Sequence, residues 1–273
     1  SRTNNIAIIL PEVNTLVDIP FFHTCMYGVE EVAQANDYDI IVVTTNGNDT
    51  RPLERLIKNR KVDGMILTRT YENDKYVKFL KQKQIPFVAV GKIPDDDVVQ
   101  VDHDNVGACR ELVTVLFAKG IQNIAYLGSD MDQMVNRCRY QGYEEAYRKG
   151  KRKLNPDLVY TDLSSKAMVE KAVEELKKSG VECILCQDDY ICDEVVRKLA
   201  RMGVRIPDQM KVASCHYSRI LENYPITVTS LKFNITELGR RSCQVLLDVI
   251  HGKTVPDKTL LDYEIILKES TKG

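Results

Sequence analysis

Short runs of consecutive apolar residues alternate along the chain with longer segments whose apolar residues recur every three or four positions. The first apolar run covers residues 5–10, and Phe22, Met26 and Val29 then follow with the spacing of a helix. Continuous apolar runs of this length are typical of strands that are buried on both faces of a parallel sheet. The alternation of the two patterns therefore predicts an α/β fold.

The alternation occurs twice, with a break at residues 101–105. Strands are predicted at 5–10, 39–44, 62–67, 86–90, 98–101, 123–127, 158–160, 182–186, 210–214, 228–231 and 260–267. Because open sheets rarely exceed about ten strands, we expect two doubly wound parallel-sheet lobes joined by crossover strands. We expect the first lobe to comprise residues 5–104 plus 232–254, and the second lobe to comprise residues 105–231 plus 255–268.

The helical segments carry recognisable end signals. Helices are predicted at 21–36, 52–59, 74–83, 105–119, 139–149, 166–178, 192–202 and 238–251. Gly120, Gly150, Gly180 and Gly203 stand just beyond four of these helices, where glycine is favoured. Asn234 through Glu237 has the form of a capping box that opens the last helix.

The composition is that of an ordinary globular protein. The chain has 273 residues, 38 Lys+Arg against 39 Asp+Glu, and 44% hydrophobic residues. These values exclude a disordered chain, a collagen-like chain and a coiled-coil rod, and the balanced charge argues against nucleic-acid binding as the dominant surface property. The sequence contains no apolar run of membrane-spanning length and no signal-peptide core. Eight cysteines with no evident pairing favour the cytoplasm, so we expect a cytoplasmic protein.

The eight cysteines are expected to be reduced core residues. A chain of this length builds its own hydrophobic core, whereas disulfide frameworks belong to short secreted proteins. Cys183 and Cys186 have the CxxC spacing, but both lie in a predicted strand, where residues three apart face opposite sides of the sheet. We therefore predict neither a metal site nor a redox pair at this motif.

The sequence shows no established catalytic motif. The first strand is followed by Pro11-Glu12 rather than by a glycine-rich dinucleotide loop, and a P-loop, a G-x-S-x-G turn and an H-E-x-x-H pair are all absent. We therefore predict a protein that is not an enzyme and that has no cofactor.

A series of short segments runs in order along nearly the whole chain. They are I-I-L-P at 8–11 with I-P-F-F at 19–22, R-K-V-D-G-M-I-L at 60–67, V-D-H-D-N at 101–105, K-G-I-Q-N-I-A-Y-L-G at 119–128, R-Y-Q-G-Y at 139–143 and G-V-R-I-P-D at 203–208. Together these segments resemble the effector-binding core of the LacI/GalR family of bacterial transcription regulators. The resemblance implies a periplasmic-binding-protein-like fold of type I, a small-molecule effector such as a sugar or sugar derivative, and a homodimer. It also implies operator binding through an N-terminal helix-turn-helix, which we expect to lie outside this chain.

The chain differs from the family pattern at positions that the resemblance assigns to effector binding. His216 stands where the family's G-Y-D motif has its Asp, and Asp188-Asp189 stands where the family has Asn-Asp. We therefore expect the fold to be shared but the ligand contacts to be altered. His216 could donate or accept a hydrogen bond and make binding pH-dependent, or it could be an ordinary loop histidine.

Ligands of open α/β sheets bind outside the carboxyl ends of the strands, and two facing lobes can close on a ligand held in the cleft between them. Arg139 matches the family's effector-binding arginine, although a surface ion pair is the alternative. Phe22 could instead be a core residue, and Asp104 and Asp188 could instead be helix caps. The predicted ligand-binding residues are Glu12, Asn14, Phe21, Phe22, Arg69, Asp104, Arg139, Asp188 and His216.

Two other functions compete with an effector-sensing regulator. An exported sugar-binding receptor of an uptake system shares the two-lobed fold, but its gene would encode a signal peptide instead of a helix-turn-helix. A sugar-processing enzyme would turn over its ligand, and the missing motifs argue against it.

Overall fold

The protein forms two compact units, each built from two separate parts of the chain. The computed structural model describes residues 2–12 and 20–273. The first unit consists of Ser1–His103 and Asn234–Leu261, and the second of Asp104–Phe233 and Asp262–Gly273. The chain therefore passes from one unit to the other three times.

The first unit contains a six-stranded parallel sheet in the order β11-β5-β4-β3-β1-β2. Its strands are β1 Asn5–Pro11, β2 Asp39–Thr45, β3 Gly64–Leu67, β4 Phe87–Val90, β5 Gln100–His103 and β11 Lys258–Leu261. Its helices are α1 Pro20–Ala35, α2 Arg51–Lys58, α3 Lys75–Lys83 and α8 Ile235–Ile250.

Helices cover both faces of the first sheet. Ile6 and Ile8 of β1 pack in a core with residues of α1 and α8, whereas the alternate residues Ala7 and Ile9 pack in a core with residues of α2 and α3. The alternation of side chains along a strand thus divides one apolar run between two cores, as predicted for a doubly wound sheet.

The second unit repeats this plan with one antiparallel strand at its edge. Its order is β12-β10-β9-β8-β6-β7, and β12 runs antiparallel to β10. The strands are β6 Ile124–Leu127, β7 Val159–Tyr160, β8 Cys183–Cys186, β9 Lys211–Ser214, β10 Thr229–Lys232 and β12 Glu264–Ile266; the helices are α4 Asn105–Ala118, α5 Met134–Lys149, α6 Lys166–Ser179 and α7 Asp189–Arg201. The structure confirms the predicted fold class of two mainly parallel α/β lobes.

Several boundaries differ from the predictions. The predicted strand 260–267 is two strands, and residues 255–261 lie in the first unit because β11 pairs with β5 rather than with the second sheet. Helix α5 begins at Met134 rather than at 139, and its N-cap Gln133 makes no side-chain capping bond. Helix α7 begins at Asp189 rather than at 192, since Asp188 caps it.

The cysteines are core residues, as predicted. All eight are buried and free. Cys183 packs in the core beneath α4 and α5, whereas Cys186 packs in the core beneath α6 and α7. The two sulfurs of the CxxC spacing therefore lie on opposite faces of the sheet. In the described part of the chain, no helix is long and apolar enough to cross a lipid bilayer.

Candidate ligand-binding site

A hydrogen-bonded network orders the carboxyl ends of the central strands in the second unit. Gln187 follows β8 and is 1% exposed. Its Oε1 accepts from the Ser129 amide at 3.1 Å, and its Nε2 donates to Asp188 Oδ2 at 3.2 Å. Asn136 on α5 donates to the Ser129 carbonyl at 3.0 Å. These bonds hold the loop after β6 against the loop after β8 and position the first turns of α5.

Arg139 lies one turn further along α5 and is 9% exposed. Its Nε is buried without a hydrogen-bond partner, and within residues 2–12 and 20–273 its guanidinium has no carboxylate within salt-bridge distance. A guanidinium stays charged in a protein, and burying an unpaired charge is costly. The expected alternative, a surface ion pair, is therefore wrong for Arg139.

Tyr126 is a second buried polar group in the second unit, and it is not among the predicted ligand-binding residues. Its hydroxyl is fully buried and has no hydrogen-bond partner among the described residues. Burial raises the pKa of this phenol well above its ordinary value, and the charge of Arg139 opposes that shift. The Tyr126 ring centroid lies 5.3 Å from that of Tyr140, the residue that follows Arg139 on α5. The only signal in the sequence was a tyrosine within an otherwise apolar strand.

The thiols of Cys109 and Cys215 beside Tyr126 are not suited to act as nucleophiles. Burial raises the pKa of Cys109 well above its ordinary value, and a hydrogen bond with Cys215 adds to the shift. A thiol is nucleophilic only as the thiolate. The described residues also contain no group of three or more His, Cys, Asp or Glu side chains that could hold a metal ion.

Asp104 and Asp188 are helix caps, which was the alternative considered for both. Asp104 Oδ1 accepts from the Gly107 amide at 2.9 Å, and Asp188 Oδ1 accepts from the Ile191 amide at 2.9 Å. Each cap satisfies an amide that α4 or α7 would otherwise leave unbonded. Both residues are half-buried. Their contact with a ligand stays a prediction.

His216 follows β9 and is fixed by its surroundings. Its ring stacks on Phe233 with the centroids 6.0 Å apart and the planes 15° apart. Its amide donates to Ser214 Oγ at 3.2 Å, and its carbonyl accepts from the same hydroxyl at 2.7 Å. The histidine therefore has an ordered position at the carboxyl end of the sheet.

In the first unit, Phe22 belongs to the core rather than to an open surface. It is 3% exposed and packs with Ile8 and Leu10. Phe21 contacts it edge to face at 5.1 Å, and the Arg69 guanidinium carbon lies 5.2 Å from the Phe22 ring centroid. Burial leaves Phe22 little surface for a ligand, so Phe21 and Arg69 are the better candidates of this group.

The remaining candidates lie at the end of β1. Glu12 is exposed, and its amide donates to the Thr45 carbonyl at 2.7 Å. Asn14 lies outside the described residues. Thr68, at the end of β3, donates through its hydroxyl to the Ile9 carbonyl at 2.7 Å. The carboxyl ends of β1, β2 and β3 thus form one ordered edge in the first unit.

Polar side chains stand at the carboxyl ends of the strands in each of the two doubly wound α/β units, which is where open α/β sheets bind small molecules. The family model for periplasmic binding proteins and the sugar binding domain of the LacI family matches residues 3–269. The chain belongs to this family and is the effector-binding core of a LacI-type transcriptional regulator.

Similar proteins agree with this assignment. The HTH-type transcriptional regulator MalR of Streptococcus pneumoniae serotype 4 is 26% identical over 280 residues, covering 98% of this chain and 83% of MalR. CelR of Thermobifida fusca, also an HTH-type transcriptional regulator, is 26% identical over 277 residues, covering 98% of this chain and 82% of CelR.

Solved structures show the same fold. The complex of the transcriptional regulator CelR with cellobiose matches with a TM-score of 0.89 and 25% identity, covering 98% of this chain and 85% of the other. A putative LacI regulator from Bacillus cereus subsp. cytotoxis matches with a TM-score of 0.91 and 24% identity, covering 99% of both chains.

Proposed function

We propose that this core binds a sugar or sugar derivative at the carboxyl ends of its strands, with Arg139 as the principal polar contact. The observation that carries the proposal is the buried guanidinium of Arg139, which has no carboxylate partner in the described residues. A ligand that accepts hydrogen bonds there would compensate the cost of burying the charge. A guanidinium binds two hydroxyls, or a carboxylate, in a fixed planar fork.

Three further polar groups of the second unit support a polyhydroxylated ligand. Tyr126 offers a buried hydroxyl, Asp188 a carboxylate, and His216 a ring at the end of β9. In the first unit, taken by itself, the Arg69 guanidinium and the Phe21 ring stay predicted ligand contacts. The family description and the cellobiose complex of CelR support a sugar as the ligand class.

The mechanism proposed for the regulator is differential binding. The effector binds one conformation of the core better than the other, and that difference shifts the affinity of a dimer for operator DNA through a helix-turn-helix encoded upstream. Thermodynamic linkage requires operator DNA to change effector affinity by the same factor. A cytoplasmic location and the absence of enzymatic turnover belong to this proposal.

A thermal-shift screen of the 273-residue chain against neutral sugars, sugar acids and sugar phosphates tests the ligand class. A ligand at one hundred times its dissociation constant stabilises the folded state by about 2.7 kcal/mol, which gives a measurable shift. The hit should lose its shift in Arg139→Ala and keep it in Arg148→Ala, a matched control whose side chain is 75% exposed on the same helix. A hit that is indifferent to Arg139→Ala refutes the proposed contact.

The exported receptor considered in the sequence analysis shares this fold, because the family model also describes periplasmic binding proteins. The coding sequence upstream of Ser1 separates the two. A basic helix-turn-helix supports the regulator, whereas a signal peptide supports the receptor. Turnover of the hit by the purified chain would contradict both.

A further inference from the structure

A groove of about 570 Å³ lies between α4 and α5 on the face of the second unit. Phe117 and Ala146 contribute its apolar floor, and Arg110, Lys149 and Arg152 contribute cationic side chains. Phe117 and Lys149 stand at the carboxyl-terminal turns of their helices. In a parallel α/β unit the helices run opposite to the strands, so these turns lie away from the strand ends that carry the proposed effector site. The volume is in the range of small-molecule sites.

The charge in the groove is only partly neutralised. Arg110 is paired with Glu145 at 2.6 Å, and the Glu111 carboxylate accepts a hydrogen bond from Tyr263. Lys149 and Arg152 have no carboxylate within salt-bridge distance in the part of the chain that the structure describes. Among the described residues, these two cationic side chains therefore lack a carboxylate in direct contact, and the charge of Glu145 acts on Lys149 only from beyond salt-bridge distance.

Arg152 is held in place rather than extended into solvent. Its guanidinium carbon lies 4.1 Å from the centroid of the Phe117 ring, and its Nη1 donates to Gln122 Oε1 at 2.6 Å. A guanidinium stacked on an aromatic face is preorganised for a planar or anionic partner, since less side-chain freedom is lost on binding.

Interaction with the helix dipole does not account for this arrangement. Cations in the last turn of a helix are favoured by the partial negative charge there, which explains Arg148 and Lys149. Arg152 lies beyond the end of α5 and contacts Phe117 of the other helix instead. The basic side chains thus converge from two elements onto one apolar floor.

We propose that this groove is a second ligand site, which binds a small organic anion that carries a phosphate on an apolar or planar body. The anion would lie between Lys149 and Arg152, and its body would pack on the apolar lining at Ala118, which is exposed. The groove contains none of the residues assigned to effector binding, so this proposal can be tested independently of the proposed function.

Phenyl phosphate is the probe, titrated calorimetrically into the 273-residue chain at low ionic strength. Arg152→Gln and Lys149→Gln should each weaken binding about tenfold, the loss expected for one charge-assisted hydrogen bond. Lys151→Gln and Lys153→Gln are the matched controls, because both residues are exposed, basic and outside the groove lining. Inorganic phosphate should bind more weakly than phenyl phosphate, since it lacks the ring.

Arg139→Gln separates the two sites. Phenyl phosphate binding should be unchanged in this variant if the groove is the site, and a loss there would assign the probe to the effector site and overturn the proposal. Equal losses in the groove variants and the lysine controls would show general charge attraction only and would also overturn it. So would the absence of binding at millimolar probe concentration.

Discussion

A Cβ atom placed on Gly28 would lie 2.1 Å from the carbonyl oxygen of Thr236. Gly28 is on α1 and Thr236 is on α8, and the reciprocal contact is as close, since a Cβ on Gly239 would lie 2.0 Å from the Cys25 carbonyl oxygen. The two helices therefore pack backbone to backbone. This crossing fixes α8, which follows the second unit in sequence, onto the sheet of the first unit.

Gly28→Ala should destabilise the protein by at least about 2 kcal/mol, because the new methyl group overlaps a backbone atom that has no room to move. In an uncrowded helix the same substitution stabilises by roughly 1 kcal/mol. The sign of the change in the free energy of unfolding therefore tests the close crossing. Urea unfolding of Gly28→Ala, with the exposed Glu30→Ala on the same helix as control, measures it. Unchanged or higher stability in Gly28→Ala would contradict the close crossing.

Tyr126→Phe should leave the stability of the ligand-free protein unchanged or raise it by about 1 kcal/mol, because it removes a buried hydroxyl that has no partner among the described residues. The same variant should weaken the effector found by screening, since the hydroxyl is proposed to bind it. Thermal unfolding and calorimetric titration measure the two effects. A destabilised apo protein with unchanged ligand affinity would assign Tyr126 to structure alone.

The pair formed by Glu145 and Arg110 should make stability depend on pH in the acid range. The hydrogen bond from Arg110 holds the pKa of the Glu145 carboxyl below its ordinary value of 4.5. The folded state therefore favours the ionised form, so the pair's contribution is complete above pH 4.5 and is lost as the pH falls through the lowered pKa. Glu145→Gln should abolish this part of the pH dependence.

Urea midpoints of the wild-type chain and Glu145→Gln, measured from pH 6 downward, give that comparison. The difference in urea midpoint between the wild-type chain and Glu145→Gln should become smaller as the pH falls. The neighbouring exposed residue Glu144, changed to Gln, serves as the control. If the difference in urea midpoint stays constant through the acid range, the pair of Glu145 and Arg110 is not the source of the pH dependence.

The cysteines should be unreactive in the native protein. Burial raises the pKa values of Cys25, Cys183 and Cys243 to about 12, so the thiolate is scarce at neutral pH, and all eight thiols are shielded from reagents. Ellman's reagent should detect none rapidly in the native chain and all eight in guanidinium chloride. Fast reaction of a native thiol would show that a core opens locally.

Much of the fold could be predicted from the sequence because its signals are local. The unbroken apolar runs give parallel strands, and the period of two along β8 correctly places Cys183 and Cys186 on opposite faces of the sheet. The pairing of β11 with β5 is not local. It joins residues more than 150 positions apart, and the short turn at Asp262-Tyr263 carries no glycine or proline to divide one apolar stretch into two strands.

The candidate site was predictable only in part. Resemblance to the family located Arg139, but its burial without a carboxylate partner required the packing of α5 on the second sheet. Tyr126 gave no polar signal within a buried strand. Asp188 stands at a helix start, where a cap and a ligand contact are alike in sequence, and only the bond to the Ile191 amide shows that the cap is formed.

The most direct test of the account is calorimetric titration of the first sugar hit into the wild-type chain, Arg139→Lys and Arg148→Lys. Lysine keeps the charge but loses the planar fork. We predict that Arg139→Lys weakens binding at least about tenfold and that Arg148→Lys leaves it unchanged. Equal affinity in all three proteins would contradict the claim that the buried guanidinium of Arg139 binds the effector.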